Sequence, residues 1–105
     1  MWYIYIVHMN DIKFDWDKNK ASLNKKKHGV SFEEAVTIFY DDDALESHDP
    51  DHSEDEDRFV MLGLSFKART LVVSHCVRES GSVIRIISAR KATKFEAKKY
   101  WEEKP

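Results

Sequence analysis

Three consecutive segments rich in β-branched and aromatic residues constrain the fold more than any other feature of the chain. They cover residues 58–66, 70–78 and 82–90, and their composition is typical of β-strands. The connections between them, residues 67–69 and 79–81, are of hairpin length. The sequence therefore predicts an antiparallel meander of three strands.

A short strand and a helix are predicted ahead of this meander. Residues 12–16 alternate between apolar and polar side chains, as a half-buried strand does. Asp17 then stands where a helix N-cap belongs and Gly29 supplies a C-cap, so a first helix is predicted over residues 17–28. The lysines of this helix are expected to face water: Lys18, Lys20, Lys25, Lys26 and Lys27.

Two capping boxes mark the starts of two further helices, predicted over residues 32–40 and from residue 94 to about residue 103. In a capping box, the N-cap side chain accepts the backbone N–H of the residue three positions later, whose own side chain bonds back to the N-cap N–H. The two pairs are Ser31 with Glu34 and Thr93 with Glu96.

The order of these elements predicts one α+β domain that spans residues 1–105. We expect a small antiparallel sheet of three to five strands, with two N-terminal helices and one C-terminal helix packed on one face. Residues 44–49, within a mostly irregular segment, are a candidate edge strand. The apolar residues 2–7 form either another edge strand or part of an extension, residues 1–8, ahead of a translation start at Met9.

Charge is distributed unevenly along the chain. Its 17 Lys and Arg residues and 19 Asp and Glu residues give a formal net charge of −2. Ten of the acids lie in residues 41–57, which contain no Lys or Arg, and the rest of the chain carries a formal +8. A basic body of this kind is compatible with a nucleic-acid partner, although the average charge argues against one.

Several kinds of chemistry are not expected. The lone cysteine, Cys76, excludes an internal disulfide, fits a reducing cytoplasm and is interpreted as a core residue. No apolar segment approaches the roughly 18 residues that a membrane span needs. His48 and His52 lie in an acidic segment that we interpret as a solvated loop rather than a metal site. The sequence also contains no glycine-rich phosphate loop. We therefore expect no nucleotide-type cofactor, and taking the histidines and the lone cysteine into account we expect no metal.

The arginines of the predicted meander lie mostly at strand ends. Arg58 opens the first strand, Arg78 ends the second and Arg90 ends the third. Antiparallel pairing places Arg58 and Arg78 toward one edge, and Arg90 toward the other edge beside Lys91 and the C-terminal helix. Arg85 is in mid-strand, where an arginine among apolar neighbours needs a partner.

Two interpretations of Arg85 remain open at this point. It forms a salt bridge to Glu33 or Glu34, or it contacts a phosphate group, because the same bidentate geometry serves both uses. The lysines of residues 18–27 are likewise either a solvated helix face or the rim of an RNA-binding surface.

The chain also carries two long ordered blocks, KHGVSFEEA at residues 27–35 and RIISARKAT at residues 85–93. Shorter matches accompany them: FDWD at residues 14–17, Asn24, Phe39, Asp41, Arg58, Gly63, Glu96 and Tyr100. With these motifs, residues 12–101 resemble the BrnT toxin family. The chain departs from the family pattern in residues 1–8, which have no counterpart, at Asp42, where a proline is common, and at Cys76-Val77, where Thr or Tyr is frequent.

The resemblance implies a RelE-like fold and a cytoplasmic ribonuclease toxin of a type II toxin–antitoxin system. Such an enzyme cleaves RNA without metal: the 2′-OH attacks the adjacent phosphate, a base accepts its proton, and an acid protonates the leaving 5′-oxygen. The implied partner is a BrnA-like DNA-binding antitoxin, two toxins assembling with two antitoxins, and operator DNA is contacted only through the antitoxin.

The resemblance also implies site residues. Arg58, Arg78 and Arg90 are expected to clamp phosphate, and His28 is the candidate general acid or base because imidazole titrates near neutral pH. An alternative for His28 is a favourable interaction with the dipole at the end of its helix. Further RNA contacts are expected from Lys27, Arg85, Ser88, Lys91 and Tyr100.

Alternatives stay open for several of these residues. Tyr100 either stacks on a base or fills the core, and Ser88 either orients a phosphate or satisfies a strand end. The rival to the enzyme as a whole is a non-enzymatic module that binds a partner protein or nucleic acid through the same basic face.

Overall fold

The computed structural model describes residues 7–9, 12–49 and 58–103, which form a six-stranded sheet and three α-helices. The strands are β1 (Val7–Met9), β2 (Ile12–Asp15), β3 (Leu45–His48), β4 (Arg58–Leu64), β5 (Thr70–Arg78) and β6 (Val83–Lys91). The helices are α1 (Lys18–His28), α2 (Phe32–Thr37), continued by a 3-10 turn at Ile38–Tyr40, and α3 (Lys94–Glu103). The predicted α+β class is confirmed.

The strand order in the sheet is β1-β2-β6-β5-β4-β3. The predicted meander forms its centre, because β4 pairs antiparallel with β5 and β5 with β6. The edge strand predicted within residues 44–49 is β3, which pairs with β4. The edge strand predicted over residues 2–7 and the extension over residues 1–8 lie almost wholly outside the described residues, although β1 pairs with β2.

Two predictions about the sheet were wrong. The described residues form six strands rather than three to five, and the sheet is mixed because β2 pairs in parallel with β6. This pairing joins residues 70 positions apart, Lys13 with Val83 and Asp15 with Arg85. A parallel pair needs a long crossover, which here contains everything from α1 to β5. The local hairpin signals in the sequence therefore do not reveal it.

Helix α1 begins and ends where the sequence predicts. The Oδ1 atom of Asp17 accepts the backbone N–H groups of Asn19 (2.8 Å) and Lys20 (3.2 Å). Gly29 adopts a left-handed conformation (φ 71°), and its N–H donates to the Lys25 carbonyl (2.9 Å).

No helix in the described ranges is long and apolar enough to cross a membrane.

The two predicted capping boxes have different outcomes. In α3 both bonds form: the Glu96 N–H donates to Thr93 Oγ1 (3.1 Å), and the Thr93 N–H donates to Glu96 Oε1 (2.8 Å). In α2 the Glu34 N–H donates to Ser31 Oγ (3.0 Å). The prediction of a return bond from the Ser31 N–H to the Glu34 side chain was wrong. The Glu34 carboxylate is buried instead and accepts from Arg69 Nε (2.9 Å), because a long-range ion pair competes successfully with the local cap.

Helices cover both faces of the sheet, which corrects the prediction of a single helical face. Val72 and Val73 are both buried, and consecutive strand residues point to opposite faces, so both faces of β5 need cover. Helices α1 and α2 pack on the face of Val73, which we call the α1/α2 face. On the opposite face, which we call the α3 face, Phe95 of α3 lines a groove together with Leu62 and Val72 of the sheet. The main core lies on the α1/α2 face: Phe14, Trp16, Val30, Phe32, Ala35, Val36, Ile38, Leu71, Val73, Ile86 and Ala89.

Asn24 fixes the position of α1 along the edge of β6. Its Nδ2 donates to the Ala89 carbonyl (2.8 Å) and the Val30 carbonyl (2.9 Å), and its Oδ1 accepts the Ala89 N–H (3.1 Å). Strand β2 pairs only with residues 83–85 of β6, so the amide supplies the hydrogen bonds that a longer neighbouring strand would make. The first turn of α1 therefore lies near Arg85.

Candidate functional site

Charged side chains are aligned in one row across four strands of the sheet. Arg58 of β4 is paired with Cys76 of β5, Cys76 with Arg85 of β6, and Arg85 with Asp15 of β2. Like Val72 on the same strand, Cys76 points to the α3 face, because alternate strand residues share a face. At about 4.8 Å between strands, the Cα atoms of Arg58 and Arg85 are about 10 Å apart across the small side chain of Cys76.

These arginines line a cavity of about 190 Å³ at the end of the sheet where β4 begins and β5 ends. The charged residues of its lining, which define what we call the arginine cavity, are Asp17, Lys20, Arg58, Arg78 and Arg85. The structure thus brings together three arginines that the sequence predicted as phosphate contacts. Arg58 and Arg78 lie at the same end of the sheet, as antiparallel pairing predicts.

Arg85 has a carboxylate partner, but not one of the two predicted. Its Nε lies 3.0 Å from Asp15 Oδ1 and its Nη2 lies 3.3 Å from Asp15 Oδ2. The expectation of a salt bridge to Glu33 or Glu34 is wrong, because the parallel pairing of β2 with β6 places Asp15 directly beside Arg85. The bidentate contact fixes the plane of the Arg85 guanidinium at the cavity wall.

Cationic side chains predominate in the part of the arginine cavity that the structure describes. Four of these lining side chains are cationic and one, Asp17, is acidic, and Asp15 is ion-paired with Arg85 beside the cavity. Guanidinium groups bind phosphate oxygens with planar, bidentate geometry. The cavity is therefore suited to a phosphodiester group.

Arg90 lies at the opposite end of the sheet from the arginine cavity. Its guanidinium donates to both carboxylate oxygens of Glu96, at 2.8 and 3.0 Å. The hydrogen bond from Arg90 is the main reason that the pKa of Glu96 is lowered to about 2. Arg90 and Arg85 are five strand residues apart, roughly 16 Å at about 3.3 Å per residue. Arg90 thus ties α3 to β6, and its neighbour Lys91 is exposed.

His28 and Lys27 are in the last turn of α1, also away from the arginine cavity. The carbonyl of the adjacent Gly29 accepts a hydrogen bond from Arg69 Nη2 (3.1 Å), and Arg69 lies in the turn that connects the far ends of β4 and β5. Eight helical residues separate Lys20 from His28, which corresponds to about 12 Å along the axis. The structure therefore does not place His28 or Lys27 beside the arginines of the cavity.

Tyr100 belongs to the core. Its side chain is 1% exposed, and its hydroxyl donates to Asp41 Oδ2 (2.6 Å). Burial, reinforced by Asp41, raises the pKa of Tyr100. Of the two alternatives for this residue, the structure therefore favours core filling over base stacking. Ser88 is half-buried and paired with Ser74, between the arginine cavity and Arg90.

Cys76 and His48 were considered in the sequence for a disulfide and for a metal site, respectively. Cys76 is fully buried, which confirms its interpretation as a core residue. The ring of His48 packs edge-on against Phe59, with 5.3 Å between ring centroids. His52 lies outside the described residues.

The sequence did not single out Asp15 or Asp17 as parts of a site, and Asp17 was assigned only its capping role. Lys20 was included only among the lysines of residues 18–27 that form either a solvated helix face or the rim of an RNA-binding surface. These residues reach the cavity because β2 runs parallel to β6 and delivers the first turn of α1 to the side of Arg85. These residues were missed because the parallel pairing of β2 with β6 was not predicted.

Comparison with protein-family models identifies the class. Residues 16–96 match the model described as "Ribonuclease toxin, BrnT, of type II toxin-antitoxin system". The match covers most of the chain, so the chain belongs to the BrnT family, as the sequence resemblance indicated. Membership in a type II toxin–antitoxin family implies an antitoxin partner. No curated protein matches the sequence.

Proposed function

We propose that this chain is a metal-independent endoribonuclease toxin with a RelE-like fold, and that it binds the scissile phosphate of RNA in the arginine cavity. The observation that carries the proposal is the convergence of Arg58, Arg78 and Arg85 with Lys20 around one cavity. The family description supplies the reaction class, a ribonuclease, and the cavity supplies cationic groups suited to RNA phosphate.

The proposed reaction is attack of a ribose 2′-OH on the adjacent phosphorus. The bond from phosphorus to the 5′-oxygen breaks, leaving a 2′,3′-cyclic phosphate and a 5′-hydroxyl. Negative charge on the pentavalent phosphorane is stabilised by the guanidinium groups of Arg58, Arg78 and Arg85. Asp17 accepts the 2′-OH proton and Lys20 protonates the leaving oxygen, because these two residues line the same cavity.

Arg90 and His28 have supporting rather than catalytic roles in this proposal. Arg90 anchors α3 through Glu96, and His28 closes α1 some 12 Å from Lys20 along the helix axis. Neither reaches a phosphate group held by Arg58 and Arg85. Lys27 and Lys91, on the same side as His28, are available for contacts to RNA flanking the cleaved step.

The experiment is cleavage of a labelled single-stranded RNA by the purified chain in the presence of EDTA. We expect cleavage with 2′,3′-cyclic phosphate ends, and loss of cleavage in Arg58→Met/Arg78→Met. The matched control, Lys25→Met/Lys26→Met, removes two exposed charges of α1 outside the cavity and should cleave like the original chain. RNA binding without cleavage would support the non-enzymatic module instead, and a requirement for added metal would contradict the mechanism.

We also propose a BrnA-like, DNA-binding antitoxin as the cytoplasmic partner, with two toxins and two antitoxins in the complex. Family membership supports an antitoxin in general. Co-expression with the product of the adjacent small gene, followed by light scattering, tests the partner and the stoichiometry. Operator DNA should bind to the toxin–antitoxin complex and should not bind to this chain alone.

A further inference from the structure

A second row of side chains lies next to the arginine cavity on the same face of the sheet. Lys13 of β2 is paired with Val83 of β6, and Val83 is paired with Arg78 of β5. This row is two residues along the strands from the row of Arg58 and Arg85, and so shares its face. Lys13 and Arg78 therefore flank Val83 on the α3 face, with their Cα atoms about 10 Å apart.

Lys13 has the properties of a residue available to a ligand. Its side chain is exposed, and within residues 12–49 and 58–103 its ammonium group makes no ion pair. Its backbone is held firmly, because its N–H donates to the Ser82 carbonyl (2.9 Å) and its strand pairs on both sides. A flexible cationic side chain on a fixed strand suits contact with a phosphate as a point charge.

The spacing of the two rows indicates which phosphate Lys13 would contact. Two strand residues correspond to about 6.6 Å, a distance that two successive phosphates of one RNA strand can span. The rows therefore fit neighbouring phosphates of one strand, and single-stranded loops and ends are the form in which RNA is commonly recognised.

We infer that Lys13 forms a second phosphate subsite, which binds the phosphodiester next to the one held by Arg58 and Arg85. Arg78 lies in the row of Lys13 and also lines the arginine cavity, so it is shared between the two phosphates. The preferred ligand is single-stranded RNA with at least two consecutive phosphodiesters. This inference rests on the proposed function, because it takes the cavity as the site of the scissile phosphate.

The experiment compares the binding of two non-cleavable ligands, 2′-O-methyl oligouridylates of two and six nucleotides, by fluorescence anisotropy with a dye attached at the 3′ end through a phosphate-free linker. The variants are Lys13→Gln and, as a matched control, Lys26→Gln, which removes an exposed lysine of α1. We expect Lys13→Gln to weaken binding of the six-nucleotide ligand about tenfold, with its salt-dependence slope reduced by about 0.7. Binding of the two-nucleotide ligand, which has a single phosphodiester, should stay unchanged.

Equal weakening of both ligands, or equal affinities of Lys13→Gln and Lys26→Gln for the longer one, would overturn the second subsite. Because the ligands are not cleaved, this result is independent of the catalytic proposal. Failure of the proposed function would appear separately, as absence of RNA cleavage by a chain that still binds both oligonucleotides.

Discussion

Replacement of Arg69 by methionine is expected to destabilise the protein by about 3 kcal/mol. Glu34 is 1% exposed, and its carboxylate accepts from both Nε and Nη2 of Arg69 and from Ser65 Oγ (2.6 Å). Removal of one partner of a buried ion pair costs about 3–5 kcal/mol, because the other charge stays buried. The Arg69 side chain is 28% exposed, so solvent screens part of the attraction and the lower end of this range applies.

The loss should depend on pH in a defined direction. The hydrogen bond from Arg69 is the main cause that lowers the pKa of Glu34 from its ordinary value of 4.5. A carboxyl group whose pKa is lower in the folded state adds stability above its unfolded pKa, and this stability is lost as the pH falls through the folded pKa. The difference between the original chain and Arg69→Met should therefore shrink below about pH 4.

Urea unfolding, followed by tryptophan fluorescence to which the buried Trp16 contributes, measures both effects at pH 7 and pH 3.5. Lys67→Met, in the same turn and exposed, is the control and should change stability by less than about 0.5 kcal/mol. The double variant Glu34→Gln/Arg69→Met should recover part of the loss, because it removes the buried charge. A loss below about 1 kcal/mol at pH 7, or an equal loss at both pH values, would refute the reasoning.

Three further predictions concern single side chains. His28→Gln should retain the cleavage rate, and a large loss in a folded variant would restore His28 as the acid or base. Asp17→Asn should lower the cleavage rate about 100-fold with an unchanged Tm, because asparagine also caps helices; full activity would remove Asp17 as the base. Gly63→Ala should cost about 1–3 kcal/mol, because its Cβ would lie 3.0 Å from Ile38 Cβ; an unchanged Tm would contradict this packing.

The parts of the fold that local chemistry determines were predictable. Asp17 and Gly29 bound α1 because an N-cap carboxylate and a left-handed glycine each satisfy backbone groups within a few residues. The β4–β5–β6 meander followed from strand composition and short connections. Its geometry also placed Arg58 and Arg78 at one end of the sheet and Arg90 at the other.

The parts that depend on distant partners were not predictable. Glu34 has the spacing of a capping box, but Arg69, 35 residues later, outcompetes the cap. Asp15 and Arg85 are 70 residues apart and meet only through the parallel pair. Arg85 and Arg90 belong to one basic motif but lie at opposite ends of the sheet. A sequence motif gives the order of residues along the chain and not their position in the sheet.

The position of the scissile phosphate is the central claim, and one comparison tests it most directly. The measurement is the single-turnover RNA cleavage rate of Arg78→Met beside that of Arg90→Met, both at a temperature where each variant is folded. We predict a loss of about 100-fold or more for Arg78→Met and a rate near that of the original chain for Arg90→Met. The reverse result, with Arg90→Met inactive and Arg78→Met active, would contradict the account and place the phosphate beside α3.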